Sequence, residues 1–274
     1  MKKSTILFVT SIVLLALALG GCAPKEAAAE EFRVGMECNY APFNWTQVGE
    51  DSFTVPIESG AYAGGYDVSI AQQIADGLGK KLVIVKTEWD GLIPALQSGK
   101  IDAVIAGMSP TAERKLTVDF SDNYYESELV IVVRKDSAFA GATALADFSG
   151  AKITGQLNTF HYSVIDQIPG VQKQTALDNF PAMIVALQSG RIDGYVSEKP
   201  GAISAISSNP DLTFVELEGS NGFSASQDDT AIAVALKKGS NYADAINTIL
   251  AGISEESREQ LMLDALNNQP IVVE

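Results

Sequence analysis

The octapeptide ALQSGKID at residues 95–102 returns, with one Lys-to-Arg change, as ALQSGRID at residues 186–193. The flanks agree as well, LIPALQSGKIDAVIAG against MIVALQSGRIDGYVSE. Each copy reads as a helix that stops at a glycine and hands over to an apolar strand. With 274 residues and 46% hydrophobic content, the chain can bury one large core or two moderate ones. The repeat therefore predicts two similar α/β lobes, each containing the same helix, glycine and strand.

The surrounding pattern agrees. EFRVGM reads as a strand, and a Gly/Ser/Pro-rich loop is expected over residues 44–65. GYDVSIAQQIADGLGK then gathers Val68, Ile70, Ala71, Ile74, Ala75 and Leu78 on one helical face. KLVIVKT, IDAVIAGM and SELVIVVRKDS read as strands, with WDGLIPALQSGK a helix between the first two. After residue 134 the pattern restarts: GAKITGQL, KQTAL and IDGYVSEK as strands, TFHYSVIDQI and NFPAMIVALQSG as helices. DTAIAVALKKGS adds a strand, and NYADAINTILAGISEESREQLMLDAL is expected to be helical throughout. Strands alternating with helices argue for parallel sheets with crossover helices. The expected division is a first lobe over 32–133, a second over 134–226 and a return to the first over 227–274. VIVVRKD and residues 224–233 are the expected crossing strands of a two-strand hinge.

The start of the chain is different. MKKSTILFVTSIVLLALALGGC sets two lysines before an apolar run and closes on small residues and a cysteine, the pattern of a secretory leader over residues 1–21. The apolar run, residues 6–19, is short for the ~20 residues a membrane-spanning helix needs. Leu19-Gly20-Gly21-Cys22 resembles the lipobox at which bacterial lipoproteins are cut and lipidated. The resemblance implies a lipid anchor on Cys22, residues 22–31 as a tether, and an extracytoplasmic domain held at the bacterial cell membrane.

Cys38 is then the one cysteine left in the domain, so no intrachain disulfide is available, and a small buried hydrophobe is the expected role. Losing Lys2 and Lys3 with the leader takes the 19 basic residues to 17 against 34 acidic ones. Nucleic acid is disfavoured as a partner by that balance. A lone histidine, His161, makes no metal site, and neither metal nor cofactor is expected.

In open parallel sheets ligands bind beyond the carboxyl ends of the strands, so the residues after each repeat are the place to look. The first repeat is followed by AGMSPTAERK, with Gly107, Ser109 and Arg114; the second ends in VSEKPG, with Glu198. A guanidinium in one lobe and a carboxylate in the other suit a zwitterion. Spacing alone equally allows Arg114 a surface ion pair with Glu113 or Asp119.

NYAPF, GGYDVSIAQQIA, WDGLIPALQSGKIDAVIAGMSPTAERK and DFSDNYY resemble the first lobe of the polar amino-acid binding proteins of ABC importers, the bacterial solute-binding protein family 3. The resemblance implies a two-lobed periplasmic-binding-protein-like fold of type II. It also implies roles: Tyr40 and Trp89 as the rings that sandwich the ligand side chain, and Arg114 with Gly107 and Ser109 as the carboxylate site. In the second lobe Thr159 and the adjoining turn with Phe160 would meet the same carboxylate, and Glu198 would hold the α-ammonium. Asn158 stands where the family has glycine and Glu198 where it usually has aspartate; Asn tolerates the left-handed backbone that glycine would supply.

Glu37 matches an acidic position that approaches the side-chain cation in relatives selective for lysine and arginine. Facing Tyr40 and Trp89, a cation would gain a further ~0.5–2 kcal/mol. The competing reading makes the two rings core aromatics and Glu37 a solvated acid. His161, beside Phe160, argues against a cation if it enters the cleft charged.

The expected function is capture of a free amino acid, arginine or lysine favoured, by hinge closure and delivery to an ABC permease by a monomer. Glutamine, cystine or glutathione are alternative ligands of the same fold. A dehydratase-type enzyme is a second alternative, but no Ser-His-Asp or metal-ligand spacing supports catalysis. A ligand-sensing domain is a third; a sensor would continue into a transmembrane helix, whereas this sequence stops at PIVVE.

Overall fold

The computed structural model describes residues 29–270 apart from 59 and 218. The leader and Cys22 lie outside the described residues. Among those described, no helix is long and apolar enough to cross a membrane.

The chain opens with β1 (Glu31–Met36), β2 (Trp45–Gln47), β3 (Thr54–Pro56), β4 (Tyr62–Gly64), α1 (Tyr66–Gly77), β5 (Lys81–Lys86), α2 (Trp89–Ser98), β6 (Ala103–Val104), α3 (Ala112–Lys115) and β7 (Val118–Glu126). It continues through β8 (Leu129–Arg134), β9 (Lys152–Thr154), α4 (Phe160–Ser163), β10 (Gln172–Lys173), α5 (Phe180–Gln188), β11 (Gly194–Glu198), α6 (Lys199–Ser208) and β12 (Leu212–Glu216). It closes with α7 (Gln227–Thr230), β13 (Ala231–Lys237), α8 (Ala243–Ala251) and α9 (Glu255–Asn268).

Two five-stranded sheets result, β5-β1-β6-β13-β7 and β10-β9-β11-β8-β12. In the first, β1 runs parallel to β5 and β6 while β13 returns antiparallel; in the second, β9 runs parallel to β10 and β11 while β8 is antiparallel. These are the two expected lobes.

The repeat has one structural meaning in both. Helix α2 ends at Gly99 (φ 76°) and α5 ends just before Gly190 (φ 72°), conformations that glycine adopts without a Cβ penalty. The aspartate that closes each repeat then pins the neighbouring strand: Asp102 Oδ2 accepts from the Arg33 amide of β1 and Asp193 Oδ2 from the Lys152 amide of β9, both at 2.8 Å. Leu92 and Leu96 in α2 and their counterparts Met183 and Leu187 in α5 are fully buried. Each contributes about 1.5–3 kcal/mol. Along β8 the core alternates with the strand period: Val130 and Val132 face one cluster, Ile131 and Val133 the other.

Four expectations need correction. The first crossing falls between Glu126 and Leu129, ahead of the expected 133/134 boundary, because all of VIVVR is committed to β8, paired with β11 and β12. The first crossing is instead Ser127-Glu128; the second is the segment before β13, which includes residues 224–230 of the expected one, and the Ser127 amide joins the two by donating to the Thr230 carbonyl at 3.0 Å. Residues 44–65 hold a small antiparallel sheet, β2-β4-β3, whose three-residue strands are too short to show a period. TFHYSVIDQI is one four-residue helix followed by a 3-10 turn over Val164–Gln167. The C-terminal helical run breaks at Gly252, and Ser254 caps α9 by accepting from the Ser257 amide.

Candidate functional site

The two sheets meet at the carboxyl ends of β1, β6, β9 and β11, where Glu37, Tyr40, His161 and Glu198 form a buried group and Trp89, Arg114, Thr159 and Phe160 line an open cleft. Glu37 follows β1 directly and is buried, which removes the solvated alternative. Its Oε1 accepts from Gln156 Nε2 of the other lobe at 3.1 Å. Burial pushes its carboxyl up to about 7, against the pull of Gln156 and with Glu88 and Asp90 adding to the rise.

Tyr40 is buried between the lobes. Its ring stacks on Phe180 at 4.1 Å and 10°, and its hydroxyl donates to Glu198 Oε2 at 3.0 Å. Burial first and the Glu198 charge second hold that phenol far above its ordinary range, so it remains a donor. Glu198, at the end of β11 and buried, has its other oxygen 3.5 Å from His161 Nε2. His161 packs edge-on against Phe180, and its Nδ1 has no hydrogen-bond partner. His161 is thus buried beside Glu198 and Phe180 and is not among the residues lining the open cleft at Trp89 and Arg114.

Trp89 opens α2 with its ring under the Arg114 guanidinium, 5.1 Å from Cζ to ring centroid. Arg114, in α3, donates through Nη1 to the Ser109 carbonyl at 2.9 Å and through Nη2 to the Asn158 carbonyl at 3.0 Å. Trp89 Nε1 donates to that same carbonyl at 3.4 Å. Burial lowers Arg114 to about 10, with Glu113 opposing, so it is a cation at neutral pH. The surface ion-pair alternative fails at Asp119, which pairs with Lys238 at 2.8 Å.

Asn158 takes up the left-handed conformation (φ 55°) expected of it, and its side chain donates to Asp90 Oδ1 at 2.8 Å. Thr159 caps α4 by position, its hydroxyl donating to the Gln156 carbonyl at 2.7 Å, and Phe160 follows half-buried. Gly107, also left-handed (φ 62°), lies so close to Tyr40 that a Cβ there would sit 3.1 Å from the ring. A cleft of about 590 Å³ is lined by Trp89, Arg114, Asn158, Thr159 and Phe160 among others. Cys38 is buried with its thiol pushed up to about 12 by burial, an inert side chain as expected.

Two residues that no motif singled out, Gln156 and Phe180, are placed here by the internal symmetry. Counting from the pinned residues Arg33 and Lys152, Gln156 is the counterpart of Glu37; counting back from Gly99 and Gly190, Phe180 is the counterpart of Trp89. The site is lined by equivalent positions of the two halves. Aligning the repeats in the sequence would have found Phe180, whereas the match of Gln156 to Glu37 needs the strand-pinning bonds of the folded chain.

The description "Bacterial extracellular solute-binding proteins, family 3" matches residues 32–263. The chain belongs to this family. A Campylobacter jejuni member named "Probable histidine-binding protein" is 34% identical over 194 residues, 70% of each chain. The arginine-binding extracellular protein ArtP of Bacillus subtilis is 28% identical over 257 residues, 91% of this chain and 92% of its own. Among solved structures, an amino acid ABC transporter substrate-binding protein from Streptococcus pneumoniae bound to L-arginine superposes with a TM-score of 0.76 at 29% identity, covering 86% of this chain and 94% of that one. Family 3 members bind solutes rather than transform them, which places this chain among binding proteins and not enzymes.

Proposed function

We propose that this chain is the extracytoplasmic, Cys22-anchored binding lipoprotein of an ABC importer, and that it captures a basic amino acid, arginine or lysine, by closing its lobes as a monomer. The carrying observation is Glu37: a buried carboxyl bonded across the lobes by Gln156 and held up near 7 by burial would be stabilised in its charged form by a ligand cation. Arg114 would take the ligand carboxylate with help from Ser109, Gly107 and Thr159, and Glu198 the α-ammonium. Phe160 and His161 would line the second-lobe wall. The arginine-binding relatives support this ligand class.

A ligand shifts an open–closed equilibrium only through its preference for the closed form, so second-lobe contacts at Glu198 and Thr159 would carry the switch. Glu198→Ala should abolish ligand-driven compaction in small-angle scattering. The histidine-binding relative favours L-histidine as a second reading, and His161 would be the residue to accommodate it.

Thermal unfolding of ligand-stripped protein against the twenty amino acids, ornithine, cystine and glutathione decides between them. Ligand at a hundred times its Kd adds ~2.7 kcal/mol, a shift of several degrees. Shifts with arginine, lysine or ornithine support the basic reading; a shift with histidine, glutamine or cystine alone overturns it. Mass spectrometry of the membrane-extracted N-terminus tests lipidation of Cys22, and an unmodified cysteine there would remove the anchor.

A further inference from the structure

Below the first-lobe side of the cleft lies a buried carboxylate that none of the ligand-facing groups accounts for. Asp67, in the first turn of α1, is completely inaccessible. Its Oδ1 accepts from Tyr124 Oη at 2.7 Å and its Oδ2 from Asn44 Nδ2 at 2.8 Å. Each donor is committed at its other end. Asn44 Oδ1 accepts from the Cys38 amide at 2.7 Å, so its NH2 must face Asp67. Tyr124 Oη accepts from the Gly107 amide at 3.3 Å, so its proton must go to Asp67.

Two hydrogen-bond chains therefore run from one carboxylate to two backbone amides, and both amides belong to left-handed residues, Cys38 (φ 57°) and Gly107 (φ 62°). Cys38 lies between Glu37 and Tyr40 in sequence; Gly107 precedes Ser109, whose carbonyl holds Arg114. A β-branched or bulky residue resists the left-handed region, and cysteine there costs backbone energy that something must offset. An asparagine at position 67 would set its own NH2 against one of these two donors, whereas a carboxylate accepts from each with a separate oxygen.

We propose that Asp67 is a positioning residue of the binding site: through Asn44 and Tyr124 it fixes the two left-handed turns that aim Glu37 and Tyr40 on one side and Ser109 and Arg114 on the other. The loop it steadies is independently tied to α1 by the Asp67 amide donating to the Phe43 carbonyl at 2.8 Å and the Tyr66 amide to the Pro42 carbonyl at 3.0 Å. Replacing the side chain thus disturbs aim before it disturbs attachment. The inference rests on the reading that this cleft takes the amino acid, but its primary test does not need the ligand.

The test is amide hydrogen exchange by mass spectrometry on the full chain carrying Asp67→Asn, with Tyr124→Phe as the variant that cuts one branch only. Asp67→Asn is expected to lower protection at least tenfold at the Cys38 and Gly107 amides while peptides of α5 and β11 stay at wild-type protection. Tyr124→Phe is expected to do so at Gly107 alone, and it decides the matter if Asp67→Asn does not fold. Wild-type protection at both amides, or an even loss across the first lobe, would overturn the proposal. In a parallel titration with L-arginine, Asp67→Asn should bind at least tenfold more weakly. Wild-type protein that ignores L-arginine would instead sink the basic-ligand reading and leave the exchange result to judge Asp67.

Discussion

Glu37 and Gln156 occupy the same place in the two halves of the molecule, and they hydrogen-bond to each other across the cleft at 3.1 Å. One half supplies a carboxyl and the other an amide. The pair is asymmetric chemistry on a symmetric frame, and it leaves Glu37 with a partner that can stabilise its charge only weakly against burial.

That placement predicts a pH dependence. Glu37 titrates near 7 in the folded protein against 4.5 ordinarily, so between those values the native state holds a proton that the unfolded chain has lost. Stability of the ligand-free protein should therefore fall as pH rises through that window, by up to about 3 kcal/mol at 1.36 kcal/mol per pH unit. Asp67, raised to about 6 chiefly by burial, contributes in the same direction, so the comparison must be with Glu37→Gln. Urea midpoints should show Glu37→Gln gaining on wild type between pH 4.5 and 7.5; parallel curves would refute the assignment.

Binding a basic amino acid should expel the Glu37 proton, because a cation beside the carboxyl favours its charged form. Calorimetry at pH 6.5 in phosphate and in a buffer of high ionisation enthalpy should differ by the enthalpy of the released proton. Glu37→Gln should erase that difference. A neutral ligand would release none.

Tyr40→Phe keeps the stack on Phe180 and deletes only the bond to Glu198. A hydrogen bond to a charged group is worth about 1.5–3 kcal/mol, so the closed-to-open ratio should fall by roughly ten- to a hundredfold. Small-angle scattering of the ligand-free variant should give a larger radius of gyration than wild type. An unchanged radius would mean that the Phe180 stack, the Glu37–Gln156 bond and the contacts around Asn158 hold the lobes together without the Tyr40 hydroxyl.

Arg114→Lys should weaken amino-acid binding at least tenfold while moving the unfolding midpoint little. The guanidinium fork reaches the Ser109 and Asn158 carbonyls with separate nitrogens and lies over Trp89, a geometry that one ammonium cannot reproduce. Isothermal titration compares the two. Equal affinity would remove Arg114 from the carboxylate site.

The parts of this fold legible in the sequence are those written in local rules. Gly99 and Gly190 mark helix ends because their backbone angles demand it, and Asp102 and Asp193 recur because each pins a strand. Asn158 was readable from the family resemblance, which sets it at a glycine position, and its left-handed backbone agrees. Gln156 and Phe180 carried no motif, since their roles come from the residues they face across the cleft. Asp67 looks in sequence like an ordinary acid in a first helical turn; only the folded chain shows Asn44 and Tyr124 converging on it. The sheet formed by β2, β3 and β4 escaped because pairing, not periodicity, defines three-residue strands.

Asn158 offers a final test, since its backbone and side-chain contributions separate cleanly. Its left-handed angle costs a Cβ-bearing residue about 1–2 kcal/mol, a penalty that asparagine reduces through local polar contacts. Its amide also donates to Asp90, a partly exposed bond worth about 0.5–1.5 kcal/mol. Asn158→Gly loses the bond but relaxes the backbone, so the two effects should nearly cancel. Asn158→Ala loses both and should be destabilised by about 2 kcal/mol in urea unfolding. Because the Asn158 carbonyl receives both Arg114 and Trp89, the alanine variant should also open the lobes, visible as a larger radius of gyration. If alanine and glycine behave alike, the turn is set by its interlobe bonds and not by its backbone preference.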